Sequence, residues 1–247
     1  MRALFVGRLE VLAGLAAACE NAGHDVAFAT APSSVSRVEM AGFEALPAGL
    51  DVEAEAQHAA AALAGDVAPL ADRWGASLVV HDDGDAHDGA QLGAARAGRA
   101  TVVLSTRPVR PPTDRPGPSQ LHLATLPPSF QWTAHPERWV PGFAYLRPGP
   151  FRARPPDEDV AVGTGDWAFV MGALAAGTPV VMAPHDDEEA ELAFRVTAAG
   201  AGVLDGPDAV RHLLDEPLYF ANAQRLRREI DALPTPAATL DLLTSQT

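Results

Sequence analysis

Short apolar runs alternate with amphipathic segments along the first half of the chain. Apolar strands are predicted at Ala3–Val6, His24–Ala29 and Gly42–Leu46. Between them, Leu9–Ala22 carries apolar residues at helical spacing, and Pro32–Met40 fits a short helix. This order of strand, helix, strand, helix and strand predicts a parallel sheet with right-handed crossovers.

The alternation continues to about residue 150 and resumes beyond it. The further elements expected before that point are one or two surface helices over Asp51–Asp72, a strand at Ser77–Val80, a helix at Gly89–Ala97, and strands at Ala100–Leu104 and Leu121–Leu126. The Pro- and Arg-rich segments Thr106–Pro118 and Arg147–Pro156 cannot form regular helix or a central strand. The second segment is the expected boundary between domains 1–150 and 151–247.

The stretch Val160–Arg195 reads as a strand, a helix, a buried strand, an acidic turn and a second helix. The first of these helices is Trp167–Ala176, with Gly177 as its terminating residue. Two βα units and C-terminal helices at Leu218–Leu233 and Ala237–Leu243 are expected here. The fold class is therefore α/β: a doubly wound parallel sheet, followed by a second, smaller α/β half.

Composition excludes several functional classes. The net charge is −14 and all 18 basic residues are arginine, which disfavours nucleic acid as a partner and removes any Schiff-base or P-loop lysine. No apolar run reaches membrane-spanning length, so no membrane partner is expected. The single cysteine, Cys19, rules out a disulfide framework and favours a cytoplasmic location.

Two acidic clusters follow predicted strands. His81, Asp82 and Asp83 come after one strand, and His185 to Glu189 come after another. Because the carboxyl ends of parallel strands face the ligand cleft, these carboxylates are candidates for acid/base work near neutral pH. The alternative is that they cap helices and line solvated loops. Their spacing matches no metal motif, and no metal or cofactor is expected.

Aromatic residues are concentrated in one segment of a chain with 6% aromatics: Trp132, Trp139, Phe143, Tyr145 and Phe151. They are able to line a pocket for a flat apolar ligand, or to pack between the first domain and its linker.

Several quoted segments, in the same order, resemble the GT-B glycosyltransferases that decorate antibiotics and polyketides in bacteria. They are MRALFV, GLAAACENAGHDVAFATAP, LATLPPSFQ, ALAAGTPVVMAP and FRVTAAGAGV. The resemblance implies a Rossmann-like acceptor-side domain followed by a truncated, Rossmann-like donor-side half. The chain is shorter than is usual in that family, and the strands that normally begin the donor-side domain are expected to be missing.

The resemblance also shows where the family's chemistry is altered. Arg8 stands where the family has a catalytic histidine, and arginine cannot act as a base, although it can hold an anion. Thr164 stands where the family has a diphosphate-binding histidine, followed by Asp166, which suits a helix N-cap. Glu188 and Glu189 replace the family's acid–glutamine pair that holds the donor sugar.

These departures predict a degenerate transferase that has lost nucleotide-sugar transfer. We expect it to perform acid/base chemistry, such as cyclisation, elimination or isomerisation, on a natural-product (polyketide) substrate. The expected catalytic residues are Asp82, Asp83, Arg8, His185 and Asp186, and the expected substrate-binding residues are Glu10, His81, Trp132, Thr164, Trp167 and Glu188. The alternatives are a non-catalytic binding or activating protein, and an active transferase completed by a partner or a second copy.

Overall fold

The protein, seen in a computed structural model, is described for residues 1–50, 56–84, 87–108, 120–132, 135–138, 140, 142–149 and 159–247. The strands are β1 Arg2–Val6, β2 Asp25–Thr30, β3 Glu44–Pro47, β4 Leu78–Asp82, β5 Ala100–Ser105, β6 Gln120–Ala124, β7 Phe143–Tyr145, β8 Ala161–Thr164, β9 Val180–Ala183 and β10 Gly202–Leu204. The helices are α1 Leu9–Asn21, α2 Val35–Met40, α3 Ala56–Trp74, α4 His87–Arg96, α5 Trp167–Ala176, α6 Asp187–Ala198, α7 Ala209–Asp215, α8 Pro217–Asp231 and α9 Leu240–Thr244.

The first seven strands form one parallel sheet in the order β3-β2-β1-β4-β5-β6-β7. The order reverses between β1 and β4, which makes the sheet doubly wound as the sequence predicted. Alternate residues of β1 face opposite layers: Leu4 and Val6 pack toward α3 and α4, whereas Ala3 and Phe5 pack toward α1. Their exposed fractions are 0 to 1%, as expected for a strand buried on both faces.

The last three strands form a separate parallel sheet in the order β10-β9-β8. It therefore does not extend the first sheet. The sequence had also predicted only two βα units here, whereas a third strand, β10, pairs with β9 and is followed by α7. Residues 150–158, which hold most of the expected domain boundary, lie outside the described part of the chain, so the boundary stays a prediction.

One apolar cluster contains buried residues from both sheets and the helices packed on them. Leu126 and Phe130, which follow β6, belong to the same buried cluster as Trp167 and Leu174 of α5. Trp167 also donates its indole N–H to Thr125 Oγ1 at 3.1 Å. Because this buried indole has its hydrogen-bond partner, Trp167 is a core residue that positions α5 against the first sheet.

Helix α8 closes the second sheet with two side-chain amides. Gln224 donates to the carbonyl oxygen of Gly177 at 3.1 Å, and Asn222 donates to that of Gly200 at 3.2 Å. These carbonyls follow α5 and α6, so α8 satisfies acceptors that a helix end leaves unpaired. None of the described helices combines the length and the apolar composition that a bilayer crossing requires.

Gly177 provides a test of this packing. Its φ is +76°, and an added Cβ would overlap the side-chain amide of Gln224. We expect Gly177→Ala to lower the free energy of unfolding by about 2 kcal/mol, measured by chemical denaturation. Gly98→Ala is the matched control, because Gly98 has φ +65° but no atom within 4 Å of the added Cβ. An equal loss of stability in both variants would show that the overlap with Gln224 contributes nothing.

Candidate functional site

The candidate site lies where the strand order of the first sheet reverses. Strands β1 and β4 run side by side with Val6 opposite His81, so the turn after β1 faces Asp82 at the end of β4. Gly7 in this turn has φ +135°, and a Cβ there would overlap Asp82 Oδ1. The close approach of Asp82 to the backbone therefore requires glycine. Ligands of doubly wound sheets bind at such switch points.

The guanidinium of Arg8 contacts carboxylates from both sheets. Its Nε donates to Asp82 Oδ2 at 2.5 Å, and one terminal nitrogen donates to Glu188 Oε1 at 3.2 Å. The other terminal nitrogen donates to Thr106 Oγ1 at 2.8 Å and lies 3.7 Å from Asp83 Oδ1. Arg8 is thus surrounded by three carboxylates and one hydroxyl.

Two residues that the sequence analysis missed complete this arrangement. Thr106 donates its backbone N–H and its hydroxyl to Asp83 Oδ1 at 2.9 and 2.7 Å. Arg107 donates to Glu188 Oε2 at 2.9 Å. The signal that would have found them is the pairing of β4 with β5, which places the loop after Ser105 beside Asp83. Arg8, Asp82, Asp83, Thr106, Arg107 and Glu188 are called the Arg8 cluster below.

Burial and pairing shift the pKa values of this cluster in different directions. Burial raises the pKa of Asp82, and the nearby Arg8 offsets that effect only in part. For Glu188, burial alone would raise the pKa, but Arg8 and Arg107 together hold it below its usual range. For Arg8, burial alone would lower the pKa, but Asp82 and Glu188 raise it overall. Arg8 therefore stays charged, and three of its side-chain N–H groups donate to protein acceptors. Its expected role in holding an anion stays a prediction.

Asp82 is the one member of the cluster with unused hydrogen-bonding capacity at a buried atom. Its side chain is 1% exposed, and Oδ2 accepts from the Nε and the backbone N–H of Arg8. Its Oδ1 has no hydrogen-bond partner among the described residues. A buried carboxylate oxygen without a partner is costly, which makes it a candidate for contact with a ligand.

A cavity of about 370 Å³ lies beside Asp82. Glu188 at the start of α6 contributes to one wall, together with Arg8, Glu10 and Arg37. Most of the lining is aliphatic or small, including Val6, Leu9, Ala29, Val38, Leu50 and Leu63. The volume and the apolar lining with a few polar groups are typical of a small-molecule site. Four residues expected from the sequence thus share this cavity: Arg8, Glu10, Asp82 and Glu188.

His81 lies directly behind Asp82 and is fully buried. Its Nδ1–H donates to the carbonyl oxygen of Asp82 at 3.0 Å, and its ring contacts that of His87 edge-on at 5.0 Å between centroids. Burial lowers the pKa of His81 to about 3, and His87 adds to the effect. His81 supports the backbone at Asp82 and does not line the cavity described above. Among the described residues, no group of three or more His, Cys, Asp or Glu side chains is arranged to hold a metal ion.

The other expected site residues make local contacts near the second sheet. Asp186 caps α6 by accepting from the backbone N–H of Glu189 at 2.8 Å, and His185 is 69% exposed beside Glu189. Thr164 donates its hydroxyl to Asp166, which caps α5 as the sequence predicted. The guanidinium of Arg195 lies 3.7 Å above the ring of Trp132. Their proposed catalytic and substrate-binding roles stay predictions.

Comparison with known proteins agrees with the architecture. No protein-family profile matches the sequence. A curated relative, the 4′-demethylrebeccamycin synthase of Lentzea aerocolonigenes, is 36% identical over 116 residues, which is 43% of this chain and 25% of that protein. The solved glycosyltransferase SsfS6 of Streptomyces sp. SF2575 superposes with a TM-score of 0.83 at 21% identity, covering 99% of both chains. SnogD of Streptomyces nogalater does so with a TM-score of 0.79 at 20% identity, covering all of both chains.

These similarities show the fold. The chain has a GT-B-like α/β fold, structurally similar to bacterial glycosyltransferases over its full length. The sequence match to the curated relative spans a quarter of that protein's length, so it does not show a shared activity. The shortening and degeneration expected from the sequence stay predictions.

The buried His81 predicts a specific acid sensitivity. Its folded pKa of about 3 lies below the ordinary value of 6.5, so between these values the unfolded chain binds a proton that the folded chain does not. Stability is therefore lost as the pH falls below about 6.5. We expect His81 to account for about 2 kcal/mol of the loss between pH 7 and pH 5, so His81→Asn should lose that much less over the same interval in denaturation titrations.

The control for this titration is His135→Asn, at an exposed position. If that variant flattens the pH dependence as much as His81→Asn does, then burial of His81 is not the cause.

Proposed function

We propose that this protein, which has the GT-B-like fold of bacterial glycosyltransferases, binds a largely apolar natural product in the 370 Å³ cavity and that Asp82 accepts a proton from it. The observation that carries the proposal is the buried Asp82, which lines that cavity and whose Oδ1 has no hydrogen-bond partner among the described residues. A proton acceptor in an apolar site fits the acid/base chemistry expected from the sequence.

The proposed step needs only groups of this chain and the substrate. A hydroxyl O–H, or a C–H next to a carbonyl, gives its proton to Asp82 Oδ1, and the electron pair stays on the substrate oxygen or carbon. Arg8 holds the opposite oxygen, so the carboxylate keeps a fixed direction. Because burial raises the pKa of Asp82, the carboxyl is a better proton acceptor than an exposed aspartate. The proton then returns to the rearranged substrate.

The proposed loss of nucleotide-sugar transfer has its own support. A helix N-terminus binds phosphate through free backbone N–H groups. At α5 the side chain of Asp166 takes this place, accepting from Phe169 N–H at 2.9 Å, and at α6 Asp186 does so. Glu188 is held by two guanidiniums. Carboxylates therefore occupy positions where an anionic diphosphate would be repelled.

Glycosyl transfer is the second candidate. It is favoured by the structural similarity to SsfS6. That protein has also been solved in complex with thymidine diphosphate, and this chain superposes on the complex with a TM-score of 0.82. Non-catalytic binding of a small molecule is the third, because the cavity alone supports binding without chemistry.

Calorimetric titration with thymidine diphosphate separates the first two candidates. We expect no binding tighter than about 1 mM, because Asp166 and Asp186 place negative charge at both helix N-termini. A dissociation constant in the micromolar range would support the transferase and contradict the proposed loss. Binding that appears only in Asp166→Asn would show that the carboxylate itself excludes the diphosphate.

Replacement of the proton acceptor separates catalysis from binding alone. The gene would be deleted in the organism that carries it, and the metabolite that is lost would be taken as the product. Complementation with Asp82→Asn should lower formation of that product about 100-fold or more relative to the unchanged gene. Asp72→Asn is the control, since Asp72 pairs with Arg99 on the surface. Thermal unfolding of the purified variants checks that Asp82→Asn is folded. Full product formation by a folded Asp82→Asn would exclude Asp82 as the proton acceptor.

A further inference from the structure

We infer that the cavity selects by charge: it takes amine-bearing, cationic molecules in preference to carboxylate-bearing molecules of the same skeleton. This inference rests on the proposal that the 370 Å³ cavity is the ligand site. It concerns the class of ligand and is independent of whether Asp82 moves a proton.

The first reason is that the cations at the cavity are already paired. Arg8 contacts Asp82, Glu188 and Thr106. Arg37, at the rim, donates to Glu10 Oε2 at 2.7 Å. A ligand carboxylate entering the cavity would therefore meet guanidiniums whose charge is already balanced by protein carboxylates.

The second reason is that the unpaired hydrogen-bonding atom, Asp82 Oδ1, is an acceptor and not a donor. Asp82 Oδ1 lies against Gly7, both residues line the cavity, and Asp82 is 0% exposed. An ammonium N–H would satisfy this oxygen with a charge-assisted hydrogen bond. A ligand carboxylate would meet like charge and leave the oxygen unpaired.

The third reason is the charge balance of the lining. The described lining residues include two arginines and three carboxylates (Glu10, Asp82 and Glu188), which gives a formal charge of −1. The whole chain carries −14, so the wider field has the same sign. A cleft with low-dielectric walls and one sign of charge raises the local concentration of the opposite ion.

The aliphatic lining makes compact alicyclic probes suitable for a test. We would measure dissociation constants by calorimetry for three probes with one skeleton: adamantylammonium, adamantanol and adamantanecarboxylate. The expected order of affinity is ammonium, then alcohol, then carboxylate, with at least about tenfold between the first and the last, as for a charge-assisted contact. Carboxylate binding as tight as ammonium binding would overturn the inference, and so would failure of all three to bind.

Two variants locate the selectivity. Asp82→Asn should reduce the preference for ammonium over alcohol to about twofold or less, because the charge at Oδ1 is removed. If that variant fails to fold, Glu10→Gln at the rim gives a second measurement, in which the preference should fall by about half. The surface variant Asp72→Asn should keep the full preference. Unchanged selectivity in a folded Asp82→Asn would overturn the assignment of the contact to Asp82.

The outcomes also separate this inference from the proposed function. Ammonium selectivity together with full product formation by Asp82→Asn would leave the charge selection standing and reject the proton transfer. Equal binding of the three probes together with loss of product in Asp82→Asn would reject the charge selection and leave the proton transfer standing.

Discussion

The ion pairs of Arg8 are the interaction on which the site depends. One guanidinium contacts Asp82 at the end of β4 and Glu188 at the start of α6, so a single side chain connects the carboxyl-terminal edges of both sheets. Burying a charge is unfavourable unless it is paired, and here each charged group has a partner of opposite sign. This requirement fixes where Asp82 and Glu188 stand, and thereby the floor and one wall of the cavity.

The ion pairs of Arg8 also determine which charged and polar groups a ligand in the cavity would meet. Arg8 and Arg107 are both paired with carboxylates, so their charge is balanced within the protein. Asp82 is held at one oxygen only, and burial raises its pKa. The proposed proton acceptance by Asp82, in preference to phosphate binding, rests on this arrangement. The caps formed by Asp166 and Asp186 support the same proposal at the second sheet.

Much of the fold could be read from periodicity and from glycine positions. The first five strands and the α5 helix ending at Gly177 are confirmed. Strand β10 was missed because it has only three residues and shows no alternation that separates it from a turn. The sequence left open whether one helix or two precede β4, because Pro69 interrupts the helical pattern; the structure has the single helix α3. Strand pairing, and hence the separate second sheet, depends on long-range contacts that no local pattern contains.

The sequence by itself determined which groups are available: acidic residues after strands, arginine at position 8, and no lysine anywhere. It also determined that the carboxyl ends of parallel strands would bring some of them together. Only the tertiary structure decided their partners. Arg8 and Glu188 are 180 residues apart in the chain, and the pairing of β5 with β4 brings Thr106 and Arg107 to the same site. His81 lies buried behind Asp82. The reason is physical: charge and burial at a site depend on distances between segments, and local sequence fixes distances only within a segment.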